Sequence, residues 1–152
     1  MNLFSPKPPW YVTGLAFECM QCGRCCAGPE EGYVWLDDAE AAAIARFLGI
    51  TVSEMQGRYL RRVGRRYSIV EDGGNRDCVF LQPLLPGAGG ASGRGCAIYP
   101  VRPTQCRTWP FWQINLLDPQ AWAHAAARCA GMNRGAFFAF DEIESRRRLT
   151  RE

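Results

Sequence analysis

Apolar residues recur at helical spacing in three places along the chain. Ala41, Ile44, Ala45 and Leu48 fall on one face, with Asp37 and Glu40 forming a capping box before them and Gly49 stopping the run. Ser53 with Gln56 opens a second predicted helix, whose stripe is Met55, Tyr59, Leu60 and Val63. Asp118-Pro119 starts a third, which presents Ala121, Trp122 and Ala125 and ends near Cys129, with Gly131 just beyond. Shorter runs read as strands: Tyr33 to Leu36, then Tyr67 to Val70 paired through the turn Asp72 to Asn75 with Cys78 to Leu81.

The remaining segments are irregular. Pro6, Pro8 and Pro9 forbid a helix at the start, so residues 1–16 read as an extended arm anchored by Trp10 and Tyr11, with Phe17 just beyond it. Gly28-Pro29 turns the chain, and residues 83–95 form an exposed Gly/Pro-rich loop. Trp109 to Trp112 forms an apolar block suited to a core wall, and residues 136–152 make a C-terminal helical tail, solvated around Arg146, Arg147 and Arg148. With 152 residues and no internal repeat, the expectation is one domain spanning 1–152. Its class is α+β: a small antiparallel sheet and several short helices packed around a cysteine-ligated metal centre.

Cysteine placement supplies that centre. Cys19, Cys22, Cys25 and Cys26 lie within eight residues, and Cys78, Cys96, Cys106 and Cys129 follow singly. A Cys-x-x-Cys turn aims two sulfurs at one point, as zinc or an iron–sulfur cluster requires, and Gly23 gives the loop its backbone freedom. In extended backbone Cys25 and Cys26 point apart, towards different metals or different edges of one cluster. Eight thiolates divide evenly into two four-sulfur sites. Disulfides are the plainer use of an even cysteine count. However, the N-terminus lacks the features of a signal peptide, and a reducing cytoplasm keeps thiols free for metal.

Other classes fall away. With 47% apolar and 22% charged residues the composition is that of an ordinary globular protein, and no apolar run is long enough to span a bilayer. His124 is the only histidine, and its neighbours at ligand spacing are alanines, so it reads as a surface or packed residue. Arg58, Arg61, Arg62, Arg65 and Arg66 form a local basic patch that reads as a solvated face. The formal net charge of +3 would become about −1 with two zinc ions on eight thiolates, which argues against strong nucleic-acid binding.

The run Phe17-Glu-Cys-x-x-Cys-Gly-x-Cys-Cys26, then Asp77-Cys-Val-Phe-Leu81, then Cys96-x-Ile-Tyr-x-x-Arg-Pro-x-x-Cys-Arg107 with Trp109-Pro110-Phe111, resembles the YkgJ-type CxxCxxCC cysteine-cluster family. Those bacterial proteins are described as zinc- or iron-chelating domains, and also as iron–sulfur oxidoreductases. Cys129-Ala-Gly131 looks like the family's terminal Cys-Pro-Gly element with alanine replacing proline. The resemblance covers about residues 10 to 135 and implies metal at all eight matched cysteines. Arg102 and Arg107 flank the sulfurs, where they either pack or donate hydrogen bonds to metal-bound thiolates; Tyr99 is their companion in the motif.

Three functions follow. The first is a cytoplasmic chelator holding zinc, as two ions, or iron in thiolate sites. An all-sulfur ligand set without an acid–base pair favours this and points away from catalysis. The second is an iron–sulfur oxidoreductase or electron carrier, since Cys19, Cys22 and Cys25 share the ferredoxin spacing; Cys26 breaks that pattern. The third is a zinc-stabilised nucleic-acid or protein interaction module using the arginine patch near residues 58 to 66, its protein partner unidentified.

Overall fold

A computed structural model describes residues 6–28, 32–83 and 94–150 of the chain. In chain order its elements are β1 (Leu15–Phe17), β2 (Trp35–Leu36), α1 (Asp38–Leu48), α2 (Val52–Tyr59), β3 (Leu60–Val63), β4 (Arg66–Ile69), β5 (Leu81–Pro83) and β6 (Arg94–Cys96). After these come α3 (Thr104–Thr108), α4 (Gln113–Leu116), α5 (Pro119–Ala126), β7 (Met132–Phe138) and α6 (Phe140–Leu149). The class is α+β, with short antiparallel sheets. Among the described residues no helix is long and apolar enough to cross a membrane.

Two apolar clusters hold the elements. The first gathers Ile44 and Ala45 of α1, Met55 of α2, and Leu36, Leu60 and Ile69 from the sheet ordered β2-β4-β3. The capping box at Asp37 and Glu40 is formed in both directions, and Gly49 closes α1 in the left-handed region. The second cluster gathers Tyr11, Phe111, Leu116, Trp122, Met132 and Ile143. Its β1 strand pairs antiparallel with β7, so an early segment and a late one close on each other.

Several sequence expectations need correction. The box that opens α2 is Thr51 with Glu54, not Ser53 with Gln56, and the helix ends at Tyr59. Leu60 turns extended, and Leu60–Val63 pairs residue by residue with Arg66–Ile69, so Leu60 reaches the core from a strand. Cys78 to Leu81 is therefore not a ladder partner of 67–70; the two segments touch through Val79 N, which donates to Val70 O at 3.1 Å, beside the bridge Glu71 with Cys78. The start is not simply extended, because Val12 N donates to Pro9 O and Gly14 N to Tyr11 O, and residues 15 and 16 already belong to β1. In the tail, residues 136–138 finish β7 before α6 begins, and Ile143 and Glu144 are buried rather than solvated. Phe111 is buried, as a core wall requires. The Gly28-Pro29 turn at Pro29, positions 1–5 of the arm, nearly all of the 83–95 loop and residues 151–152 lie outside the described residues.

Candidate metal centre

The cysteine segment leaves β1 under backbone control, with Glu18 N donating to Gly131 O at 3.0 Å. Gly23 takes φ 75° and delivers the chain into a 3-10 turn, Arg24–Cys26. In that turn Cys25 and Cys26 do not point apart, as extended backbone would have made them; their sulfurs lie 3.8 Å from each other. A tetrahedron with metal–sulfur bonds near 2.3 Å has an edge of about 3.8 Å, so this pair spans the distance that two ligands of one ion require.

Further contacts position the distant cysteines. Cys78 N donates to Cys26 O at 2.7 Å. Beside it, Asp77 accepts from Gly28 N through Oδ1 at 2.8 Å and from Arg94 Nη1 through Oδ2 at 2.8 Å. A Cβ at Gly28 would overlap the Asn75 carbonyl, so only glycine lets the segments approach so closely. Cys96 closes β6 opposite Leu81. Cys106 rides on α3, whose first amide, Thr104 N, donates to Glu40 Oε1 at 2.7 Å. The neighbouring Gln105 accepts from Trp35 N and donates to Tyr33 O, both at 2.8 Å, and so ties α3 alongside β2.

The thiols respond to one another. Cys26 is held protonated first by its hydrogen bond with Cys25, then by burial, then by the charges of Cys25, Cys78 and Cys106. The same hydrogen bond lowers Cys25 to about 7, against the opposing effect of enclosure, with help from Arg102. Burial pushes Cys78 up to about 11 and raises Cys96 and Cys106, and neighbouring thiolates add to each. Tyr99 is raised by burial and by its hydrogen bond with Cys19. Cys19, Cys25, Cys26, Cys78, Cys96 and Cys106 thus share one electrostatic neighbourhood. Arg102 faces it while its guanidinium lies 3.7 Å over the Tyr99 ring.

Cys22 and Cys129 line the same cavity, of about 400 Å³. Cys129 follows the end of α5, where its sulfur accepts from Trp109 Nε1 at 3.5 Å. Among the described residues no three Cys, His, Asp or Glu side chains are already closed around one point. The donor set nonetheless suits thiophilic metal, because a dication would offset the burial and the thiolate repulsion that raise Cys26, Cys78, Cys96 and Cys106. Arg107 is placed elsewhere: it is exposed, and its Nη2 donates to Thr104 Oγ1 at 3.0 Å. His124 is exposed at the cavity wall. Asp77, Glu40 and Gln105 emerge as positioning residues. The capping box marked Glu40, but no sequence signal gave its second partner or marked Gln105.

A family model described as "Putative zinc- or iron-chelating domain" matches residues 18–130, well over half of the chain. An uncharacterized protein of Methanocaldococcus jannaschii is 31% identical over 101 residues, covering 66% of this chain and 48% of its own length. The chain therefore spans about half the length of that relative. No solved structure matches.

Proposed function

The chain belongs to the CxxCxxCC family, and from that premise we propose that it binds zinc or iron through a thiolate centre whose core is Cys19, Cys25, Cys26, Cys78, Cys96 and Cys106. One observation carries the reading: six sulfurs from four segments of the chain line a single cavity, where Cys25, Cys26, Cys78, Cys96 and Cys106 each have their ionisation shifted by neighbouring thiols. Cys22 and Cys129 complete the set from the cavity wall. Metal bound there draws protons off the sulfurs, and Arg102 offsets part of the resulting negative charge. Tyr99 orients Cys19. Arg107 supports α3 through Thr104 and does not touch a sulfur. The centre is cytoplasmic in this reading, since only a reducing compartment keeps eight thiols available.

A second reading, an iron–sulfur oxidoreductase, is favoured by the size of the cavity, because about 400 Å³ exceeds what one or two bare ions fill. Elemental analysis with a visible spectrum, on protein purified without oxygen, separates the two. Zinc without colour supports a chelating or structural centre. Iron with acid-labile sulfide and a brown chromophore supports the cluster. A protein with neither metal, or a Cys106→Ser variant with unchanged metal content, would sink the shared centre.

A further inference from the structure

The arginine patch gains a second property in the fold that the sequence did not show. Between Glu54 and Glu71 the chain holds five arginines and no acidic residue. The β2-β4-β3 sheet sets two of them on its outer face, because Arg61 and Trp35 both stand opposite Ser68, and Arg66 lies two residues before Ser68 on the same strand. There the Tyr33 and Trp35 rings are stacked, with centroids 5.0 Å apart and planes 3° from parallel. The Arg61 guanidinium lies 4.5 Å from the Tyr33 ring and that of Arg66 lies 3.9 Å from the Trp35 ring. The outcome is a column of flat groups on one exposed face.

Arg58, Arg62, Arg65 and Arg66 face no carboxylate among the described residues, whereas Arg76, Arg94, Arg147 and Arg148 do. Arg62 and Arg65 sit at the β3–β4 turn, where Arg62 Nε donates only to Gly64 O. Tyr33 is 41% exposed and also lines the cysteine cavity, so the column starts at the rim of the metal centre.

We infer that this face binds single-stranded nucleic acid, with the free arginines on phosphates and unpaired bases stacking on the exposed faces of the Tyr33–Trp35–arginine column. Guanidinium planes and aromatic rings together form the platform that unpaired bases need, and every base has a face to offer it. Duplex readout needs an element that enters a groove, and this flat surface presents none. An acidic peptide would use the charges but leave the stack idle. The near-neutral total charge is no obstacle, because metal-bound thiolates are confined to the cavity while the arginines are clustered on the sheet.

The test is fluorescence anisotropy of labelled oligo(U) and oligo(dT), about twelve nucleotides long, with metal-loaded full chain at several salt concentrations. Binding should weaken with salt at a log–log slope of about −2 to −3, the range expected for three to four phosphate contacts on a single strand. The double variant Arg62→Gln, Arg65→Gln should bind about tenfold more weakly, with the slope shallower by about 1.4. Tyr33→Ala should lose at least about fivefold with its slope unchanged. Metal content and far-UV spectra equal to wild type show that both variants fold. Tighter binding of oligo(U) assigns RNA, and equal or tighter binding of oligo(dT) assigns DNA. Three results overturn the inference: no saturable binding at about 50 mM salt, binding undiminished in the double variant, or displacement by polyglutamate as effective as by unlabelled oligonucleotide, which would assign the face to an acidic protein.

Discussion

Asp77 touches no sulfur, yet it joins three parts of the centre. Its carboxylate lies below the usual range, first because Gly28 N donates to it and then through Arg94, so it is ionised wherever the centre binds metal. Replacing it with alanine removes the acceptor shared by Arg94 and the Gly28 amide and lets the Cys25–Cys26 turn drift from Cys78. Metal affinity should fall about tenfold, near the low end for residues that orient ligands. Chelator competition measures this, and an unchanged affinity would remove Asp77 from the centre. Glu144 is the contrasting acid. Its hydrogen bonds from Arg147, opposed by burial, and from Tyr11 at 2.6 Å hold its carboxyl near 2, whereas an unfolded chain would titrate near 4.5. The folded state thus keeps a charge that the unfolded state loses on acidification. That stabilisation is complete above about pH 4.5 and disappears as pH falls towards 2. In urea titrations, the difference between wild type and Glu144→Gln should narrow across that window; a difference independent of pH would contradict the assignment.

At the scale of elements, α1 does two jobs through one side chain. Glu40 caps its own helix with Oε2 and holds the start of α3 with Oε1. Glu40→Ala should cost roughly 1–2 kcal/mol in denaturant unfolding, as lost caps do, and should also loosen Cys106 from metal. A stability loss with metal affinity intact would separate α1 from the site. α1 was legible because its period, box and terminating glycine agree with one another. Residues 60–63 were not, because Leu60 and Val63 continue the stripe of Met55 and Tyr59 by coincidence of spacing. Only their pairing with β4, a tertiary fact, decides for strand. The β1–β7 sheet was illegible for a related reason: Leu15 and Phe138 are partners across most of the chain, and neither flank carries a turn signal naming the other. The eight cysteines were legible as candidate ligands by count and spacing, and all eight line one cavity. Their convergence rests on Asp77, Gln105 and Glu40, whose partners no local pattern announces.

For the whole molecule, the cavity is a seam. Ile69 and Ile98 reach it from the first apolar cluster, and Ala125 and Trp109 reach it from the second. Sulfurs line it from both sides, with Cys78 and Cys96 packed on the first cluster and Cys129 on the second. Metal bound at this seam, as proposed, would tie the two clusters together, and its binding energy would add to folding energy. Chelation should therefore lower Tm and divide unfolding into two steps. Tryptophan fluorescence, which samples mainly the second cluster, should separate from far-UV circular dichroism, while the metal-loaded protein shows coincident transitions. A chelated protein with unchanged Tm would show that the clusters hold each other unaided.

The pairing of β1 with β7 also orders events in time. The strand that leads straight into Cys19 has no partner until Met132–Phe138 exists, and Cys106 is made about 80 residues after Cys26. At the usual 5–20 residues per second of synthesis, the first four thiols wait roughly 4–16 s beside the ribosome without a pocket. The nascent chain thus passes through an interval in which its most clustered sulfurs are open to oxidants and to stray copper. The correct ion has to arrive at the end of translation rather than at its start.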